Sequence, residues 1–195
     1  YLRFKRLADI LMSMILLIIS SPIIILCSVI IYLEDKGSIF YSQKRIGFRG
    51  KPFTIYKLRS MKMDAEKDGP QWAARKDKRI TFIGKIMRKT RLDELPQLLC
   101  VIKGDMSLIG PRPERKDFED KIEKAMPNYK IRHLVKPGLS GWAQVNYPYG
   151  ASLKDAKNKL SYDLFYIRNF SFFLDILIFA KTIRLVANRR GAQPF

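Results

Sequence analysis

The sequence predicts an α/β protein, rich in helix with a small sheet, that follows an N-terminal membrane-embedded segment. Three observations carry this. Residues 10–33 contain no charged side chain. Two short blocks, 38–42 and 53–58, are rich in β-branched and aromatic residues and flank a turn bearing Gly47 and Gly50. From residue 80 onward, apolar residues recur at helical spacing between polar loops. These observations divide the chain into a membrane segment, 1–36, and a cytosolic domain, 37–195.

The uncharged run would make a helix of about 36 Å, enough to cross a hydrocarbon core of about 30 Å. It is too long for a secretory signal, and no small-residue cleavage site follows it. Ser20, Ser21 and Pro22 fall in its middle. Pro22 removes a helical hydrogen bond, and a serine hydroxyl can satisfy the carbonyl set free. Arg3, Lys5 and Arg6 precede the run, and Lys36, Lys44, Arg45, Arg49 and Lys51 follow it. Cationic flanks favour the cytoplasm, and here both ends do. A helix bent at Ser21–Pro22, entering and leaving by one face, satisfies both flanks; a single span satisfies the length. The residues alone leave both courses open.

After the strand blocks, residues 62–79 form a polar excursion, 80–90 a basic amphipathic helix, and 93–102 a short helix whose early Pro96 places its start near Asp93, a candidate N-cap. Residues 103–113 read as a Gly/Pro-punctuated loop, 116–125 as a polar helix, and Pro137, Gly138 and Gly141 as another loop. Ser152 and Asp155 form a capping box. Ser171 caps a last helix reaching about residue 188, with Lys181, Arg184, Arg189 and Arg190 toward its end. That helix suits either a packed core or an anionic lipid surface.

The chain has 195 residues, with Lys+Arg 37 against Asp+Glu 18, a net charge of +19. Such a charge fits nucleic acid, anionic membrane lipid or phosphorylated substrates, and the apolar segment points to the last two. One His and two Cys exclude a Cys/His zinc site and a disulfide framework. Cys27 and Cys100 read as reduced thiols, and His133 as a structural residue.

No nucleotide-binding glycine motif, serine-hydrolase elbow or zinc-protease motif is present. Asp93 and Glu94 are instead ringed by Arg88, Lys89 and Arg91. Carboxylate and phosphate oxygens together suit Mg²⁺, which needs only one or two protein ligands. Arg112 stands between Pro111 and Pro113, a stiff setting either for bidentate phosphate contact or for a surface arginine on a structural loop. Lys57 and Arg59 alternate with Tyr56 and Leu58, so both could project from one strand face, toward a phosphate or simply toward solvent. A basic binding module for membrane or nucleic acid has no use for an acidic pair in this setting, since it weakens polyanion affinity. The combination favours chemistry on a lipid phosphate.

Ser21-Pro22, KLRSM at 57–61, RLDELPQL at 91–98, KGDMSLIGPRP at 103–113, KPGLSGWAQVN at 136–146 and YDLFYIRNFSFFLDILIFAKT at 162–182 resemble the bacterial sugar transferase family, the monotopic polyprenyl-phosphate phosphoglycosyl transferases. The resemblance covers most of the chain. It implies transfer of a sugar-1-phosphate from a UDP-sugar to undecaprenyl phosphate, releasing UMP, as the first membrane step of exopolysaccharide or other glycan assembly. It implies a bacterial inner-membrane protein on the cytoplasmic face, with a re-entrant helix broken at Ser21 and Pro22 and C-terminal interfacial helices. Asp93 matches the family's nucleophile and Mg²⁺ contact, and Glu94 its partner carboxylate. Arg59, Arg88 and Arg112 fall where the family places phosphate-binding cations, and Lys57 joins them as a substrate-binding candidate from its place on the strand beside Arg59. Nucleic acid is not an expected partner, and a homodimer is left open.

Small members carry an arginine two residues after QVN, whereas this chain has Pro148. QVNYPYGAS is more similar to the catalytic part of larger members, which have further transmembrane helices upstream and often handle hexoses. A chain starting at Tyr1 agrees with such a catalytic region.

Overall fold

The computed structural model describes residues 1–67, 69, 71, 77–148, 150 and 152–188. Helix α1 (Leu2–Asp35) takes up the apolar run and ends at Lys36, whose left-handed backbone (φ 55°) closes it. Residues 1–36 do not form the expected two helices separated at Ser21–Pro22; α1 continues through Pro22 as one helix. Pro22 cannot donate to the carbonyl of Ile18, and the Ser21 hydroxyl donates to that oxygen at 2.8 Å instead.

Both ends of α1 are tied to the rest of the chain. Near its start, Arg6 donates to the carbonyl of Ile102 at 2.7 Å, and buried Asp9 accepts from Ser107 Oγ at 2.7 Å and from Leu108 N at 3.2 Å. At its end, Asp35 pairs with Arg59, and Glu34 accepts from Phe82 N at 2.9 Å. Between the ties, Ile18, Ile19, Ile25 and Leu26 are exposed.

Strands β1 (Phe40–Ile46) and β2 (Pro52–Leu58) pair antiparallel, from Phe40 opposite Leu58 to Ile46 opposite Pro52, around a 3₁₀ turn at Phe48–Gly50. β1 extends four residues beyond the expected block, because cross-strand pairing carries Gln43, Lys44 and Arg45 along. A bridge between Met61 and Ile80 closes the neck of the polar excursion; residues 68, 70 and 72–76 of that excursion lie outside the described residues. Thr81 caps α2 (Phe82–Thr90), accepting from Gly84 N. Cys27 and Ile31 of α1 pack with Leu58, Ile83 and Met87, joining α1, the hairpin and α2. Each large apolar side chain buried there contributes about 1.5–3 kcal/mol.

A 3₁₀ segment, Leu92–Gln97, leads into α3 (Leu98–Lys103). Asp93 is therefore not the N-cap: Arg91, left-handed at φ 58°, both ends α2 and starts the 3₁₀ segment, leaving Asp93 and Glu94 in its first turn. The stretch expected as two loops contains a short parallel pair, β3 (Ser107–Ile109) and β4 (Gly138–Ser140), on either side of α4 (Lys116–Ala125) and a 3₁₀ stretch, Pro127–Leu134. Glycine makes this pairing possible, since a Cβ on Gly138 or Gly141 would overlap the Gly110 backbone. Helices α5 (Trp142–Asn146), α6 (Leu153–Asn169) and α7 (Phe172–Ala187) complete the fold. The Ser152–Asp155 capping box and the Ser171 cap form as expected; Arg189 and Arg190 lie outside the described residues. Cys27 and Cys100 are free and buried, and His133 faces Glu119 at 3.3 Å.

Candidate active site

The hairpin, the Leu92–Gln97 turn, the Pro111–Pro113 loop and α6 enclose a cavity of about 620 Å³, a size suited to a small-molecule ligand. Lys57, Arg59, Arg88, Asp93, Glu94 and Arg112 all line it, although they come from four separate stretches of sequence.

Glu94 is the hub. Lys57 Nζ donates to its Oε1 at 2.9 Å, Arg112 Nη2 bonds the same oxygen, and Arg112 Nη1 reaches Oε2 at 3.3 Å. Arg91 adds an ion pair at 3.5 Å. Burial pushes the Glu94 carboxyl up, but Arg112, Lys57 and Arg91 more than offset it and hold it well below the usual carboxylate range. Asp93 is equally buried, yet accepts no hydrogen bond from any described residue. Burial and then the Glu94 charge push its carboxyl up, against the pull of Lys57, Arg88 and Arg112. The two neighbours thus differ: Glu94 is a fixed anion, and Asp93 is a carboxyl without a hydrogen-bond donor among the described residues.

Arg112 is held by its backbone. The four successive carbonyls from 111 to 114 each accept a bond: Pro111 from Gly138 N at 2.9 Å, Arg112 from Arg132 Nη2 at 2.6 Å, Pro113 from Arg45 Nη1 at 3.2 Å, and Glu114 from Ile46 N at 3.1 Å. Arg132 is itself buried and paired with buried Asp163 at 2.8 Å. Neither Arg45 nor Arg132 stood out in sequence as a site support. The proline pair marked a stiff loop but not the groups that clamp it.

Arg59 is placed differently. Its guanidinium pairs with both oxygens of Asp35 and donates to the Ser38 carbonyl, so the side chain that lines the cavity also fastens the end of α1. Arg88, half-buried, forms no ion pair among the described residues and lies close enough to Asp93 to pull its pKa down. Pro148 brings no charge to the cavity wall, but Lys159 lines it too and donates to the carbonyl of Gly150 at 2.6 Å.

Residues 1–189 match the sequence profile of the bacterial sugar transferases. The chain belongs to the bacterial sugar transferase family. It is 46% identical over 193 residues to the UDP-N-acetylgalactosamine-undecaprenyl-phosphate N-acetylgalactosaminephosphotransferase of Aeromonas hydrophila, a match covering 99% of this chain and 46% of that protein. A putative undecaprenyl-phosphate N-acetylgalactosaminyl 1-phosphate transferase of Bacillus subtilis is 52% identical over 132 residues, covering 68% of this chain and 74% of the relative. The UDP-glucose:undecaprenyl-phosphate glucose-1-phosphate transferase of Klebsiella pneumoniae is 39% identical over 182 residues, covering 92% of this chain and 39% of the relative. The chain thus spans less than half the length of the Aeromonas and Klebsiella proteins.

Proposed function

We propose that this member of the family transfers a sugar-1-phosphate from a UDP-sugar to undecaprenyl phosphate through a covalent intermediate on Asp93. The observation that carries this reading is the uncommitted Asp93 carboxylate on the floor of a cation-lined cavity. Its oxygen would attack the phosphorus that bears the sugar, forming an acyl-phosphate bond while the bridging P–O bond breaks and UMP departs with the electron pair. An oxygen of undecaprenyl phosphate then attacks the same phosphorus, giving the diphosphate-linked lipid and freeing the carboxylate. Splitting the transfer lets the soluble and lipid substrates use one site in turn.

Glu94 supports this by holding Lys57 and Arg112 in place. Its depressed pKa makes it a poor proton acceptor, so it fits positioning better than deprotonation. The donor set also fits Mg²⁺: Asp93 offers one uncommitted carboxylate, and this ion takes one or two protein carboxylates together with substrate phosphate oxygens and waters. When bound there, Mg²⁺ would offset the charge of the diphosphate.

The test is incubation with labelled UDP-sugar and Mg²⁺ in the absence of lipid. UDP-N-acetylgalactosamine and UDP-glucose are the first donors to try, because relatives are named for each sugar. Wild type should retain sugar-phosphate and release UMP, and Asp93→Asn should do neither. An adduct that persists in Asp93→Asn would remove the covalent assignment.

The reading extends to a re-entrant α1 on the cytoplasmic face of the bacterial inner membrane. Support comes from the two ends of α1, both bonded to the same polar domain, and from the exposed apolar surface continued where Phe4 meets Phe172 of α7 at 5.7 Å. Cysteines placed near residues 4 and 36 should be labelled from one face of sealed vesicles; labelling from opposite faces would establish a span.

A further inference from the structure

The wall formed by α6 carries a cation with no part in the reaction outlined above. Lys159 is half-buried, and its bond fixes its ammonium at the Gly150 carbonyl, on a cavity wall that Tyr147 and Pro148 also line. Burial pushes its pKa down, Glu114 and Asp155 pull it up, and Arg112 pushes it down again. Arg112 has the same effect on Lys57 and Arg45. Several cations therefore face one space and disfavour one another's charge, a field that a multivalent anion relieves.

The cations near the floor already have tasks there. Lys57 and Arg112 bond Glu94, and Arg88 neighbours Asp93. A nucleoside diphosphate sugar has two phosphoryl groups, and only the one bearing the sugar meets the nucleophile. The other, which leaves on the nucleotide, needs a counter-charge from another wall.

We propose that Lys159 binds the nucleotide-side phosphate of the donor and retains it as the leaving group. This assignment rests on the UDP-sugar reading above. It gives the Pro148 wall a cation supplied from a helix, anchored by a backbone carbonyl instead of carried on the loop. Lys159 is then a binding residue for the nucleotide half, and its loss should act on donor affinity more than on the chemical step at Asp93.

The experiment is titration of the purified full chain, in detergent, with UMP, UDP and uridine, comparing wild type with Lys159→Gln and Lys159→Arg. Loss of one charge-assisted phosphate contact is expected to weaken UMP and UDP binding by roughly tenfold. Uridine binding should be unchanged, and Lys159→Arg should recover most of the loss. In turnover assays Lys159→Gln should raise KM for the donor by a similar factor with a smaller change in kcat. Equal weakening of uridine and UMP, or no rescue by arginine, would limit Lys159 to holding the Gly150 carbonyl and overturn the proposal. Unchanged UMP affinity in Lys159→Gln would overturn it while leaving the Asp93 chemistry standing. A wild-type chain that binds neither UMP nor UDP would overturn the donor reading and this assignment together.

Discussion

Two regions of the molecule set an arginine against a carboxylate, and the surroundings give the two pairs different uses. At the end of α1, Arg59 meets Asp35, and the guanidinium also takes the Ser38 carbonyl. One cation and one acid balance there, and the result fastens a helix. At the cavity floor, Arg112 meets Glu94, but Lys57 and Arg91 converge on the same carboxylate, with Arg88 beside its neighbour Asp93. Cations outnumber acids, and one acid has no hydrogen-bonded partner among the described residues. A balanced pair makes a latch; an excess of positive charge around an uncommitted carboxylate suits the phosphate-ester chemistry proposed above.

The largest expected effect separates the two arginines. Arg112→Lys keeps a charge but loses the fork that spans both Glu94 oxygens, and kcat/KM should fall on the order of 10²-fold with little change in Tm. Arg59→Lys should leave kcat/KM per folded molecule close to wild type. Equal losses in the two variants, measured with one donor and one lipid, would erase the distinction between site and latch.

The next effect sharpens the contrast inside the floor itself. The folded state holds Glu94 well below its ordinary pKa, so its charge stabilises the fold above the unfolded value of about 4.3. That contribution is lost as pH falls through the folded pKa. Asp93 has the opposite sign: its raised pKa means the fold disfavours the charged form, and the fold gains stability as pH falls through that value. At pH 7, Glu94→Gln should therefore lower stability by about 1–3 kcal/mol, and Asp93→Asn should raise Tm. A calorimetric scan that moves both variants in one direction would contradict the division of roles. In the proposed mechanism attack requires ionised Asp93, so the acid limb of adduct formation should lie above the ordinary aspartate range and shift to lower pH in Glu94→Gln.

Much of this was legible in the sequence where local rules decide. The 116–125 helix, the Ser152–Asp155 capping box and the Ser171 cap depend on residues within a few positions of one another, and they form as read. Asp93, Glu94 and Arg112 stood out as charged clusters and by motif resemblance, Lys57 by its strand face, and the fold brings all four to one cavity. What stayed hidden depends on long-range approach. The β3–β4 pair looked like two loops, because glycines that permit close backbone contact read locally as breakers. Arg45 and Arg132 clamp the Arg112 loop across 68 and 20 residues of sequence, yet resemble any other cations in a chain of net charge +19. Arg59 sits in a motif shared with site residues, and only its meeting with Asp35 shows the second task.

The smallest effect tests the latch alone. Asp35→Asn keeps the size and one hydrogen-bonding oxygen but removes the charge that Arg59 faces. The Asp35 side chain is 31% exposed, so solvent screens the pair and the loss should be about 1 kcal/mol. For a chain of this length that is a fall in Tm of roughly 2–4 °C. Glu34 still accepts from Phe82 N, and Cys27 and Ile31 still pack on Met87, so the end of α1 should loosen without detaching. Amide exchange should quicken at Arg59 and Met61, while kcat/KM stays near wild type. A clear fall in kcat/KM with no change in Tm would show that Asp35 aims Arg59 into the cavity it lines, and the latch would then be part of the site.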